Sequence, residues 1–274
     1  MDKKNGASGL RAMSRLELKL SQRNGRTAVL DSFFTAPLKI AKPFYHESHT
    51  EVMLMCASPG MLDGDRYDIK ISLSSGARAA MTAQSYNKIF QSKSSFHPEH
   101  SESNETEISQ LIDGGSFQNI EIRLESGSKF RFSPPPAIPF QRSRFSGRTN
   151  VFLEDDSAYL SCDIIACGRS AMGERFAFDS YISRTAVYES GRLVFLDNQR
   201  LVPSDADISG IGFFEGYSHA ALFYLHGADL PSLPSVSGVE AAMSRAERGI
   251  CIRAFALSAD ALSSFASLIP FFSS

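Results

Sequence analysis

The run Tyr67-Asp68-Ile69-Lys70-Ile71-Ser72-Leu73-Ser74-Ser75-Gly76 sets the fold class. Tyr67, Ile69, Ile71 and Leu73 occupy alternate positions, with Asp68, Lys70 and Ser72 between them. A period of two places one set of side chains on each face of an extended chain, so the run reads as a half-buried strand and not a helix. Ser75-Gly76 then supplies the backbone angles of a reversal. The pattern recurs at Ile120, Ile122 and Leu124, at Phe130 and Phe132, at Phe176 and Phe178, and at Leu193 and Phe195. Ser126-Gly127, Glu154-Asp155-Asp156 and Ser190-Gly191 punctuate it. These signals predict a mainly β protein, a layered sheet of many short strands built largely from hairpins or short consecutive strands. No fixed repeat period is visible, so a regular solenoid is not required.

Two regions depart from the alternation. Residues 91–116 are rich in Ser, Glu, Asn, His and Gly and predict a mobile surface loop. Near the C-terminus two helices are predicted within residues 237–272. Ser237 with Glu240 reads as a capping box, Val239, Ala242, Met243 and Ala246 form an apolar stripe, and Gly249 marks the stop. A second helix starts at Ser258, turns Leu262, Phe265, Ala266 and Ile269 inward, and ends by Pro270. Residues 1–15 read as a loose tail, with Met13 a candidate start, and residues 16–274 as a single β domain.

Composition narrows the function classes. The 274 residues carry 28 Lys and Arg against 30 Asp and Glu, which removes the basic footprint that nucleic-acid binding needs. Cys56, Cys162, Cys167 and Cys251 include no C-x2-C pair, so reduced thiols are expected rather than a zinc site. The basic first residues lead into no apolar segment of the secretory kind, and charges interrupt the longest apolar stretches. A cytoplasmic protein without membrane spans is expected.

Catalytic motifs are lacking. There is no phosphate-binding G-x-x-x-x-G-K-[ST] loop. Gly168-Arg169-Ser170-Ala171-Met172-Gly173 misses the nucleophile elbow by one residue, and Gly210, Gly212 and Gly216 miss the dinucleotide fingerprint. His46 and His49 stand three apart, as do His97 and His100, the latter among Glu99, Glu102, Glu105 and Glu107. Imidazole with carboxylate suits nickel, which makes His97 and His100 candidate ligands, although a solvated polar loop is the ordinary reading of such a segment.

Four strings are unusual by composition: Ser58-Pro59-Gly60-Met61-Leu62-Asp63-Gly64-Asp65, Met81-Thr82-Ala83-Gln84-Ser85-Tyr86-Asn87-Lys88-Ile89-Phe90, Pro134-Pro135-Pro136-Ala137-Ile138-Pro139-Phe140, and Gly168-Arg169-Ser170-Ala171-Met172-Gly173-Glu174-Arg175-Phe176-Ala177-Phe178. In this order and spacing they resemble the urease accessory proteins UreD and UreH. Pro37-Leu38-Lys39-Ile40-Ala41-Lys42-Pro43-Phe44 and Phe214-Glu215-Gly216-Tyr217-Ser218-His219 extend the likeness, which runs from about Leu16 to the C-terminus. Asp63 stands where the family often has glycine, and the 91–116 segment is longer than in many members.

The resemblance implies a β-helix-like, mainly β fold and a non-enzymatic role in assembling the nickel centre of urease. It implies UreF, the GTPase UreG and apo-urease as partners in a dimeric heterocomplex. Nickel would be cargo in transit through an internal passage, with no tightly bound cofactor. Residue type then nominates a lining. Asp65 and Glu174, with Asp63, are carboxylates in apolar or glycine-rich strings, and Thr82 and Gln84 are neutral companions. A buried charge needs a partner, so each carboxylate should meet either a cation or Lys88, Arg169 or Arg175. An internal salt bridge that fixes a corner is the competing reading. Two rival functions are a β-sandwich module for carbohydrate or another small ligand, and a hydrolase using Asp63, Asp65 or Glu174 as a carboxylate pair.

Overall fold

The computed structural model describes residues 13–93 and 114–272. His97 and His100 lie outside the described residues, as does most of the 91–116 segment. The chain forms β1 (Ser14–Arg23), β2 (Arg26–Phe34), β3 (Leu38–Ile40), β4 (Phe44–Tyr45), β5 (Thr50–Cys56), β6 (Arg66–Leu73), β7 (Arg78–Ala83), β8 (Asn87–Ile89) and β9 (Ser116–Leu124). There follow β10 (Lys129–Phe132), β11 (Ala137–Pro139), β12 (Arg144–Leu153), β13 (Ala158–Ala166), β14 (Ser180–Glu189), β15 (Arg192–Leu201), β16 (His219–His226), β17 (Val239–Ala246), β18 (Gly249–Ala256) and one helix, α1 (Ala259–Ser267).

The strands make two sheets, in the orders β15-β14-β12-β9-β6-β1-β2 and β17-β18-β16-β13-β10-β7-β5-β3. In the first, β1, β6, β9, β12 and β14 run parallel; in the second, β5, β7, β10 and β13 do. The chain passes from a strand of one sheet to a strand of the other and back, so the middle of the molecule is a parallel coil of β-helix type. A short third side, carrying β8 and β11, closes each coil.

Three of the four predicted reversals are corners of this coil, not hairpins. Leu73-Ser74-Ser75-Gly76, Leu124-Glu125-Ser126-Gly127 and Leu153-Glu154-Asp155-Asp156 each carry the chain between sheets. Stacking satisfies their backbones: Ser74 N–H donates to Leu20 C=O, Glu125 N–H to Leu73 C=O and Glu154 N–H to Leu124 C=O. The Glu125 carboxylate accepts from Ser75 N–H at 2.9 Å, and Glu154 accepts from Ser126 N–H at 3.2 Å. A residue of positive φ (Gly76, Gly127 or Asp156) turns each corner. Only Ser190-Gly191 makes a hairpin, between β14 and β15.

In-register pairing places like residues in rows. Leu20, Leu73, Leu124 and Leu153 stack just inside the corners, and Ile71, Ile122 and Val151 stack next to them, all buried. Burying this apolar surface is the main favourable term for the coil. Farther from the corners the inward positions turn polar, with Thr149, Thr185 and Asp197 in one row and Gln118, Gly147, Ser183 and Gln199 in the next.

A second apolar layer lies on the outer face of the second sheet. Leu160, Cys162, Ile164, Phe223 and Ile252 pack there against Leu262, Phe265 and Ala266 of α1. Ser258 caps α1 by accepting from Ala261 N–H at 3.2 Å, as its position before an apolar stripe predicts. Arg131 closes the other end by donating to Ala266 C=O at 2.6 Å.

Two expectations are corrected. Val239–Ala246 is β17 and not a helix, so the chain has one C-terminal helix among its described residues instead of two. Its Ala, Glu, Met and Arg residues favour a helix intrinsically, but pairing along the whole of β18 gives its backbone a ladder that outweighs propensity. Phe176 and Phe178 lie outside any strand, since Phe176 has φ 52° in the irregular third side.

Candidate functional site

The third side explains the unusual strings, because they stack on one another. Met61 bridges Ile89 in parallel, and Ile89 pairs with Pro139. Phe90 N–H donates to Met61 C=O, and Phe140 N–H to Ile89 C=O. Two glycines permit the closest approaches. A Cβ on Gly60 (φ +155°) would lie 2.2 Å from Lys88 O, and one on Gly168 (φ +129°) would lie 2.8 Å from Glu174 O. No side chain fits at either distance.

The predicted lining residues sit in this frame. Asp65 accepts from Leu62 N–H at 2.8 Å within its own turn. Asp63 accepts from Gly115 N–H at 2.6 Å and from Lys93 N–H at 3.2 Å, and so ties together the two ends of the chain that flank residues 94–113. Glu174 forms a two-pronged ion pair with Arg169, whose guanidinium also lies 4.3 Å from the centre of the Phe140 ring. The Arg169 bonds hold the Glu174 carboxyl below its ordinary pKa. Arg175 donates to Gly216 C=O and Tyr217 C=O, joining the fourth string to the segment before β16. Thr82 donates to Glu51 at 2.8 Å, while Gln84 and Lys88 are exposed.

The polar rows between the sheets line a different feature, a series of three adjoining cavities. The first, of about 50 Å³, is bounded by Cys56, Gly60, Tyr67 and Tyr86. It shares Asn87, Gln118, Phe132, Pro134 and Pro135 with a second of about 50 Å³, which reaches Arg148, Ser161, Asp163 and Tyr181. Asp163 and Leu222 are shared in turn with a third, of about 280 Å³, walled by Asp197, Gln199, Phe214 and Arg253. Each exceeds the ~10–15 Å³ that a water molecule requires, and polar groups line all three. None of the eight residues nominated from the described chain (Asp63, Asp65, Thr82, Gln84, Lys88, Arg169, Glu174, Arg175) lines any of them.

Two carboxylates meet where the second and third cavities join. Asp163 lies on β13 in phase with the inward residues Tyr159, Ser161 and Ile165, and Asp197 is its neighbour across the interior. Burial, with the nearby Asp197 charge, pushes the Asp163 pKa up to about 6. Asp197 is 13% exposed and bonded by Arg253 at 2.5 Å. Tyr181 faces the same space, and burial beside Asp163 raises its pKa well above the phenolic value. The signal for Asp163 was present in the sequence, as a polar pair at the core phase of Tyr159-Leu160-Ser161-Cys162-Asp163-Ile164-Ile165.

A family description of the UreD urease accessory protein matches residues 12–269. The chain belongs to this family. It is 34% identical over 268 residues to the urease accessory protein UreD of Acetivibrio thermocellus, covering 93% of this chain and 95% of that one. It is 28% identical to UreH of Helicobacter pylori strain P12 over 90% and 89% of the two chains, and 31% identical to UreD of Flavobacterium johnsoniae over 78% and 71%. As a UreD-family accessory protein, it has its role in urease maturation. Among the described residues no helix is long and apolar enough to cross a membrane.

Proposed function

We propose that this protein is a scaffold and nickel conduit that acts with UreF, the GTPase UreG and apo-urease in the cytoplasm. The observation that carries the reading is the row of cavities between the sheets, with Asp163 at the junction of the second and third and Asp197 beside it in the wall of the third. A conduit must bind its cargo weakly enough to release it. Asp163 suits that demand, because with its pKa raised to about 6 it is a carboxylate at neutral pH whose charge its surroundings disfavour. An arriving divalent cation relieves that cost and favours the charged form, so protons compete with the ion as pH falls toward 6. Asp65 and Glu174 enter this reading as residues that hold the third side in register, Glu174 through Arg169, while Arg175 ties the same string to Gly216 and Tyr217.

Exposed apolar tips suit a scaffold. Ile211 is 93% exposed next to Gly212 and Phe213, which wall the third cavity, and Met172 is 73% exposed at the tip of the fourth string. Side chains of this kind are what a partner surface covers. Phe214 and Phe271, by contrast, are spent on the interior. The parallel coil also differs from the antiparallel sandwich of a typical carbohydrate-binding module.

The test is activation of apo-urease in vitro with nickel, GTP, UreF and UreG. An Asp163→Ala/Asp197→Ala variant is expected to fold and to co-purify with UreF and UreG, yet to load nickel slowly. Loading at the wild-type rate would sink the reading.

A further inference from the structure

We infer that His46, His49 and Glu51 form a surface binding site for a divalent transition-metal ion, separate from the cavities between the sheets. The site follows from the β4–β5 hairpin. Tyr45 pairs with Thr50 and Phe44 with Glu51, and His46 N–H donates to His49 C=O at 3.0 Å. Only Glu47 and Ser48 lie in the loop, so His46 and His49 become opposite partners with rings stacked 4.7 Å apart. Glu51, two residues beyond His49, points to the same face because side chains alternate along a strand.

Ligand atoms of all three residues lie within 4.8 Å of one another, and His46 Nε2 is 3.2 Å from Glu51 Oε2. Bonds of about 2.0–2.2 Å to imidazole nitrogen and carboxylate oxygen place adjacent ligands about 3–3.5 Å apart, so small side-chain rotations complete the set. Two of the three ligands are already held by neighbours. Thr82 donates to the far oxygen of Glu51 at 2.8 Å, and the Phe272 ring stacks on His49 at 4.0 Å. Partners of this kind fix ligand orientation in metal sites.

Two imidazoles and one carboxylate suit nickel or zinc, with water in the remaining positions. The site opens on a groove of about 430 Å³ that includes Arg26 and Arg78, and Arg131 stands behind His49. These positive charges lower the affinity, which makes the site one that exchanges its ion. It lies at the corner end of the strands, near Gly76, away from Asp163. It does not depend on the conduit proposal, since binding is read on the isolated chain without urease.

Calorimetric titration of the untagged, full-length chain with nickel chloride, repeated with zinc chloride, tests it. The expected result is one equivalent bound at this site, with affinity lowered at least tenfold by His46→Ala/His49→Ala and severalfold by Thr82→Val. His97→Ala/His100→Ala is expected to leave this binding unchanged. A His46→Ala/His49→Ala isotherm that matches wild type overturns the inference, as does absence of binding by both metals. Should the double variant melt early, Glu51→Gln carries the test, because its amide keeps the Thr82 hydrogen bond while losing the anionic ligand.

Discussion

Replacing Asp163 by Asn should make the protein more stable and less able to serve urease. Burial and Asp197 move the Asp163 pKa from 3.8 to about 6. The folded state therefore holds a proton that the unfolded chain has already released between those values. Stability falls as pH rises through that window, and the full cost is present above it. Two units correspond to ~3 kcal/mol at pH 7.5, and the same arithmetic leaves about half of that at pH 5. Asparagine mimics the neutral carboxyl and removes the cost at both. Urea denaturation at the two pH values measures it: Asp163→Asn should gain ~3 kcal/mol at pH 7.5, and its gain at pH 5 should be about half. Apo-urease activation by the same variant should fall, because no anion remains at the cavity junction. Equal stability of the two proteins at pH 7.5, or a gain independent of pH, would refute the assignment of Asp163 as a desolvated, charge-frustrated group.

Other positions give separate checks. Gly60→Ala forces a Cβ onto Lys88 O and should cost at least ~2 kcal/mol, visible as a lower melting temperature. Glu174→Gln removes the charge and one prong of the bond to Arg169 yet leaves the cavities untouched, so urease activation should fall less than with Asp163→Asn; the opposite order would return Glu174 to the route itself. Cys56 is exposed, whereas burial pushes Cys162 up to about 12, so a thiol reagent should modify Cys56 first and reach Cys162 only in denaturant. Ser258→Ala should cost ~1 kcal/mol through loss of the α1 cap, measured by the same denaturation.

Much of this fold can be read from single stretches of the chain. Alternation at Tyr67 to Leu73 locates β6, and Ser258 with Leu262, Phe265 and Ala266 locates α1. The coil itself is harder to see. Leu-Ser-Ser-Gly, Leu-Glu-Ser-Gly and Leu-Glu-Asp-Asp are one corner used three times, but Leu73 and Leu124 are separated by a coil that carries the extra segment after β8, which hides the repeat. A turn signal also states that the chain reverses without stating whether it returns to its own sheet. The lining residues suffer from the same limit. Asp65 and Glu174 look buried because their neighbours are apolar or small, yet hydrogen bonds in the third side account for them, whereas the pair Ser161 and Asp163 stands out as a lining only once β12, β14 and β15 are set opposite it.

Strand pairing has a consequence for anything small that moves between the two sheets. From β6 to β15 the first sheet takes four lateral steps, about 19 Å at the usual spacing of ~4.8 Å. Travel in that direction crosses the strands instead of following them. Each step is then overseen by a single side chain from each strand, and widening or narrowing the bore at one rung leaves the hydrogen-bonded frame of the next intact.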